Sequence, residues 1–267
     1  MDISPERYEY LRKVKRHKLT VTSLRVGIMI LFFVLWEALA YFGIIDDFVM
    51  SSPSRMVKTI INVGESNLFY HIGITCLETL TGFLAGSGMG VLIAVVLWWN
   101  ETVYLVSEPY LVVLNSLPKI ALGPVIIIWV GAGQQAIIVM ALAISLVVTV
   151  LEVLSGYAAT DRRKIRMAQS FGADKKTVFA KIVFPSNLPT IFNSLKVSIG
   201  LSLVGVIAGE FLVSKGGLGY LIVYGGQVFK MDLVMASVFI LSAMAFLMYK
   251  CVIIAERLVM KARGPKK

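Results

Sequence analysis

Glu37, Glu78, Lys119, Glu152, Lys196, Glu210 and Lys250 are ionisable side chains inside long apolar runs of this 267-residue chain. A charge in a hydrocarbon layer costs about 2.5–3.5 kcal/mol even on the mildest scales. Groups that persist there relay protons, meet an ionic solute or pair across helices. Glu37 is a weak candidate. Glu152 and Lys250 lie near the ends of their runs, where snorkelling accounts for them. Glu78, Lys119, Lys196 and Glu210 are the better candidates for a translocation path or for helix pairing. Lys119 follows Pro118, where a helix breaks and frees backbone groups to line a path. It would attract an anionic solute such as a sulfonate, or pair with Glu78 or Glu210 and hold helices together. Pairing is the commoner fate of such charges.

Enzyme chemistry finds little support. The chain has no G-x4-G-K-[ST] phosphate loop, no H-E-x-x-H and no G-x-S-x-G, so it lacks the usual means of holding ATP, zinc or an acyl group. His17 and His71 are too few and too isolated for a metal site. Cys76 and Cys251 fall inside apolar runs and read as small buried hydrophobes, with no disulfide framework. No metal or cofactor is expected in this chain.

The elements that carry these residues are membrane spans. Hydrophobic residues make up 57% of the chain and charged ones 16%, with a mean hydropathy of +0.80. That is too little polar surface for a soluble domain of this size. The net charge of +10 points to lipid and not to nucleic acid, because of where it sits. Seven Lys and Arg lie in 1–25, seven in 157–189 and five in 257–267, flanking apolar runs as the positive-inside rule places them. Six runs are long enough to cross a bilayer: about 24–45, 72–99, 104–130 with a break at Pro118, 135–156, 188–213 and 233–256. The expectation is an all-α polytopic membrane protein with six transmembrane helices and both termini cytoplasmic. Its organisation would be a basic segment (1–25), a first helix and outer loop (26–70), a core (71–260) and a basic tail (261–267). The first run is too long for the core of a cleaved signal peptide. The basic N-terminus reads as a positive-inside anchor, with a surface amphipathic helix as the alternative. Ser51-Ser52-Pro53-Ser54 reads as the cap and start of a short outer helix.

Between the fourth and fifth runs, 161–181 reads as two short helices with a turn at Gly172, capped by Asp161 and Asp174. Pro185 and Pro189 end that unit and open the fifth span. Such a unit would act as a lever if something outside the membrane pushed on it. Gly82, Gly86 and Gly90 share one face of the second span, and Gly205 and Gly209 one face of the fifth. Small residues at that spacing let helices pack closely. Gly216-Gly217-Leu218-Gly219 reads as an outer turn.

The loop also carries a pattern: Ala168, then Gly172 four residues on, then nine residues to Ile182, then Pro185. It resembles the cytoplasmic coupling loop of ABC importer permeases, E-A-A-x3-G-x9-I-x-L-P. Arg166 stands where that pattern has Glu, Met167 where it has Ala and Phe184 where it has Leu; these departures put charge pairing with a partner in doubt more than docking itself. The stretches LNSLPKIALGPVIIIWVGAG (114–133) and AGEFLVSKGGLGYLI (208–222), with ETLTGF (78–83), resemble the permease group serving nitrate, sulfonate, taurine and bicarbonate importers. The resemblance covers about 50–260. It implies a MetI-like type I ABC importer permease that works as a homodimer. It further implies two cytoplasmic ATPase subunits, which hold the ATP and Mg, and an extracytoplasmic solute-binding protein. The coupling residues would be Arg166, Ala168, Gly172, Ala173, Ile182, Pro185 and Pro189. A sulfonate-, nitrate- or taurine-like anion is favoured as solute, with a thiamine pyrimidine or riboflavin as the alternative. A gradient-driven carrier is the competing function, though internal repeats of the kind such carriers often show are not evident.

Overall fold

The computed structural model describes residues 5–64 and 67–263; the extremes of both basic segments, 1–4 and 264–267, lie outside the described residues. Every regular element among them is helical. The basic segment and the first span form one helix, α1 (Pro5–Tyr41), so the basic residues continue the span instead of forming a separate surface helix. The apolar window of α1 is wholly unburied. Two short helices follow, α2 (Asp47–Met50) and α3 (Pro53–Gly64). The start of α3 differs from the expected serine cap: the Ser54 amide donates to Glu37 Oε2 at 3.0 Å. A carboxylate at a helix N-terminus satisfies an orphan amide and the helix dipole together, which gives Glu37 a structural role.

The core is three helices, α4 (Leu68–Trp99), α7 (Gln134–Ala158) and α11 (Leu188–Val213). Between the first two lie α5 (Glu101–Ser116), a 3-10 turn (Lys119–Leu122) and α6 (Gly123–Val130). The pair is bent by 83° at its break; five further helices are long and apolar enough to cross a membrane, and the pair taken as one broken span makes six among the described residues. The glycine faces explain why α7 sits between α4 and α11. A Cβ at Gly82 would meet Ala141 Cβ at 2.5 Å, and one at Gly90 would meet Thr149 Cβ at 2.7 Å. On the other side, a Cβ at Gly205 would meet Ala141 Cα at 2.9 Å, and one at Gly209 would meet Ile137 Cα at 3.1 Å. A Cβ at Gly86 would collide with Ser145 Oγ and the Leu142 carbonyl. Backbones this close gain dispersion contacts that lipid cannot offer. The Thr149 and Ser198 hydroxyls bond at 2.8 Å across α7 and α11, a link of about 0.6 kcal/mol by typical intramembrane values.

The cytoplasmic unit holds α8 (Arg162–Ser170), α9 (Lys175–Val178), a π-turn (Phe179–Val183) and α10 (Phe184–Ser186). On the outer side α12 (Leu218–Gln227) leads to the last span, α13 (Met231–Arg263). Arg55 on α3 binds Asp232 on α13 at 3.0 Å. Neither cysteine is a buried hydrophobe: Cys76 is half-buried and Cys251 exposed on α13. Small size and apolar neighbours in sequence do not say which face of a span a residue occupies.

Candidate functional site

The four ionisable candidates separate into three places. The outermost is built on Glu210, near the end of α11. Its side chain is 2% exposed. Thr75 Oγ1 on α4 donates to Glu210 Oε1 at 2.6 Å, and the Gly219 amide donates to Oε2. Thr75 Oγ1 in turn accepts from the Leu218 amide at 2.8 Å. His71 Nδ1, one turn before Thr75, accepts from the Gly217 amide at 3.0 Å. The turn between α11 and α12 is thus clasped by α4 and by α11 itself. Glycine is required in two respects at Gly217, where φ is +104° and a Cβ would overlap the Glu210 carboxyl. A Cβ at Gly219 would lie 2.8 Å from Glu210 Oε2. Glu78 is buried against Glu210, and its Oε2 makes no hydrogen bond within the described residues.

The second place is the break in the third span. Lys119 pairs with neither Glu78 nor Glu210, contrary to the pairing expected from the sequence. Its Nζ donates to the Asn115 carbonyl at 3.0 Å and to Asn115 Oδ1 at 3.2 Å. The two carboxyls lie together at the clasp, whereas Lys119 is half-buried at the break beside Met140, Ile144 and Val147 of α7. At the break Pro118 interrupts the helical ladder, and the ammonium takes the carbonyl one turn back. Around it α5 has no buried residue, and Leu114, Leu117, Ile120 and Trp129 are exposed. The third place is a helix pair: Lys196 on α11 binds Glu256 on α13 at 2.7 Å. Sequence reasoning left out Glu256 because it closes the sixth run. A matching of depths would have found it, since Lys196 and Glu256 both lie toward the cytoplasmic ends of their spans.

The cytoplasmic unit has caps at each helix start. Asp161 accepts from the Arg163 amide at 2.8 Å, and Asp174 from the Thr177 amide at 3.1 Å. The bonds from Thr177 hold the Asp174 carboxyl below the usual carboxylate range. Gly172 has φ +80°. The Gly172 amide donates to the Gln169 carbonyl at 2.9 Å and the Ala173 amide to the Ala168 carbonyl at 3.0 Å, which is a Schellman cap. The Ala-x3-Gly spacing therefore has a geometric cause. Gly172 takes the left-handed position, and Ala168 and Ala173 close the hydrophobic contact that accompanies it. The π-turn directly precedes Pro185, which has no amide to continue an α-helical ladder. Ile182 is half-buried there, and Pro189 sits in the first turn of α11.

Aromatic rings fix this unit to the span ends. Phe179 packs on Trp98 at 5.0 Å and on Tyr157 at 5.5 Å between centroids. Lys175 Nζ donates to the Trp99 carbonyl at 2.6 Å and lies 5.5 Å from the Trp98 ring centre. Asn187 Nδ2 bridges the Thr160 hydroxyl, at 2.7 Å, and the Val183 carbonyl, at 2.8 Å. Away from the bundle, Arg166, Met167 and Phe171 are exposed, Phe171 at 85%. Met167, noted in the sequence as a departure from the pattern, and Phe171 are not among the expected coupling residues, although exposed apolar residues within a basic helix are the signal for a contact surface.

Residues 86–263 match the family model described as "Binding-protein-dependent transport system inner membrane component". The chain belongs to this family. It is an ABC importer permease, a multi-pass protein of the bacterial inner membrane, and its fold is MetI-like. The inward-facing MetNI methionine ABC transporter shares that fold with a TM-score of 0.64, at 19% identity, over 72% of this chain and 95% of that one. The formylaminopyrimidine transport permease protein ThiX of Halalkalibacterium halodurans is 27% identical over 230 residues, 86% of this chain and 92% of that protein. The taurine transport system permease protein TauC of Escherichia coli is 21% identical over 232 residues, 85% of this chain and 84% of that protein. The permease's clasp, broken span and cytoplasmic unit fall largely within the family match, which starts at Gly86; His71, Thr75 and Glu78 precede it.

Proposed function

We propose that this permease carries a small sulfonate-like anion into the cytoplasm, driven by two ATPase subunits that dock on the 157–189 loop and supply the ATP and Mg. The observation that carries the docking is the two-sided character of α8. Ile165 and Ala168 pack into the cluster at the span ends, while Met167 and Phe171 stand exposed beside Arg163 and Arg166. A helix anchored on one face and apolar at its free tip fits a groove in a partner. Movement of that partner then reaches α7 and α11 through Phe179, Tyr157 and Asn187.

The uncovered face of α5 and α6 is where a second copy would complete a path. Among the described residues Lys119 bonds there to Asn115 and to no carboxylate. A lysine on an apolar face is costly against lipid and favourable facing a hydrated path that an anion crosses. TauC supports the anion, since taurine is a sulfonate; ThiX supports the alternative of a thiamine-type pyrimidine. An extracytoplasmic binding protein would deliver either one to the outer clasp.

Two measurements test this reading. Met167→Ala with Phe171→Ala should leave insertion unchanged and abolish co-purification of ATPase activity; retained ATPase would exclude the tip as the docking surface. Lys119→Ala in proteoliposomes should lower taurine uptake by roughly tenfold or more, in keeping with loss of a charge-assisted contact, and normal uptake would remove Lys119 from the path.

A further inference from the structure

A cavity of about 570 Å³ opens where the cytoplasmic unit meets the span ends. Trp98, Tyr157, Arg162, Arg166 and Lys175 line it, with Glu101 as the one carboxylate among the lining residues. Three cations against one acid make it a site for an anion. Its volume falls in the range of small-molecule sites. Its depth is set by tryptophan: Trp98 and Trp99 end α4, and indole rings favour the level of the lipid headgroups. Lys175 is held in place at the rim by the Trp99 carbonyl and the Trp98 ring. Tyr157 lines the cavity, and its hydroxyl is buried with no hydrogen-bond partner among the described residues. A buried donor left unpaired costs about 1–3 kcal/mol, so a ligand that accepts from it removes a penalty. The exposed tip of α8, Met167 and Phe171, takes no part in the lining, whereas Arg166 lies both in the cavity wall and beside that tip.

We propose that this cavity holds the phosphate headgroup of an anionic lipid from the cytoplasmic leaflet. Basic pockets between spans on that side recognise such headgroups. The phosphate meets Arg162, Arg166 and Lys175, and the Tyr157 hydroxyl donates to a phosphate oxygen. The lipid then joins the base of the lever to the bilayer. The assignment rests on the loop lying at the inner leaflet, and its test needs neither the solute nor the ATPase.

The test uses the full chain in nanodiscs of phosphatidylcholine with rising fractions of phosphatidylglycerol, followed by native mass spectrometry of retained lipid. The wild type should keep phosphatidylglycerol in preference to phosphatidylcholine. Lys175→Gln should weaken that preference about fivefold, the usual contribution of one lysine near an anionic surface. Tyr157→Phe keeps the ring and its packing and should also weaken it. Without a bound phosphate, the same change would remove only an unsatisfied hydroxyl and leave lipid retention untouched. Equal retention of both lipids overturns the proposal, as does a Tyr157→Phe variant indistinguishable from wild type. So does inorganic phosphate in pure phosphatidylcholine discs raising the unfolding temperature as much as phosphatidylglycerol does, because the ligand then comes from solution. If Lys175→Gln fails to fold, having lost its bond to the Trp99 carbonyl, Tyr157→Phe decides alone.

Discussion

At the outer end of α11 a turn is held from within by a buried carboxyl, with Glu210, Thr75 and His71 reaching its amides from two helices. At the inner end of the same helix the turns of the loop are closed by its own residues, while Lys175 and Phe179 tie it to the end of α4. Asp161 and Asp174 cap from two or three positions away, and Gly172 and Ala173 close a cap on Gln169 and Ala168. The outer turn depends on partners far away in sequence, 143 residues for Leu218 and Thr75. It cannot move unless α4 and α11 move with it. The inner unit can be displaced with its shape intact, which a lever needs. The two ends thus show opposite bonding at their turns, long-range in one case and local in the other.

Two glycines give the sharpest way to break this comparison, because both have positive φ but only one is crowded. Gly217→Val meets backbone strain and a collision with the Glu210 carboxyl. It should cost about 2–6 kcal/mol, strain and overpacking together, seen as a large fall in unfolding temperature in detergent. A Cβ at Gly172 meets nothing within 4 Å, so Gly172→Val should cost strain alone, about 1–3 kcal/mol. That variant should insert normally yet fail in ATP-driven uptake. Equal destabilisation at the two sites would erase the distinction between the outer turn and the inner unit.

Glu210→Ala comes next. It leaves the Gly219 amide buried without an acceptor, at about 1–3 kcal/mol, and should raise hydrogen exchange at Gly217, Leu218 and Gly219 together, since one clasp holds all three. The inner counterpart, Asp161→Ala, should cost about 1 kcal/mol as the loss of a helix cap, with faster exchange confined to the first turn of α8. Spread of that effect into α9 would show that the inner unit is not locally held.

The sequence made the inner end legible and the outer end obscure, and the bonding explains why. Asp161, Gly172, Asp174, Pro185 and Pro189 act on neighbours a few residues away, so their roles follow from spacing alone. The spans were equally legible, because length and hydropathy are local; the fifth, 188–213, coincides with α11. The glycine faces pointed to close packing without saying that α7 is the partner of both. Lys119 misled for the same reason. Whether it pairs depends on which way α4, α5 and α11 face one another, and nothing within its own run encodes that. Glu210 was singled out for its charge, but its use, a hydroxyl from α4 and an amide from the turn held by one carboxyl, depends on contacts that no window of sequence contains.

The smallest expected effect lies in the pH response of the inner caps. Bonds from Thr177 lower the Asp174 carboxyl below its ordinary value in the folded chain. A lowered folded value means that the ionised cap stabilises above the unfolded aspartate pKa, about 3.9, and that this contribution fades as pH falls through the folded value. Protection of the Thr177 amide, corrected for intrinsic exchange, should therefore stay flat from about pH 8 to pH 5 and decline only below the ordinary aspartate range. Asp174→Asn supplies a capping oxygen that does not titrate and should flatten the profile throughout. A decline already present between pH 7 and pH 5 would trace the unit's integrity to a different titrating group, and the inner end would then share the long-range dependence of the outer one.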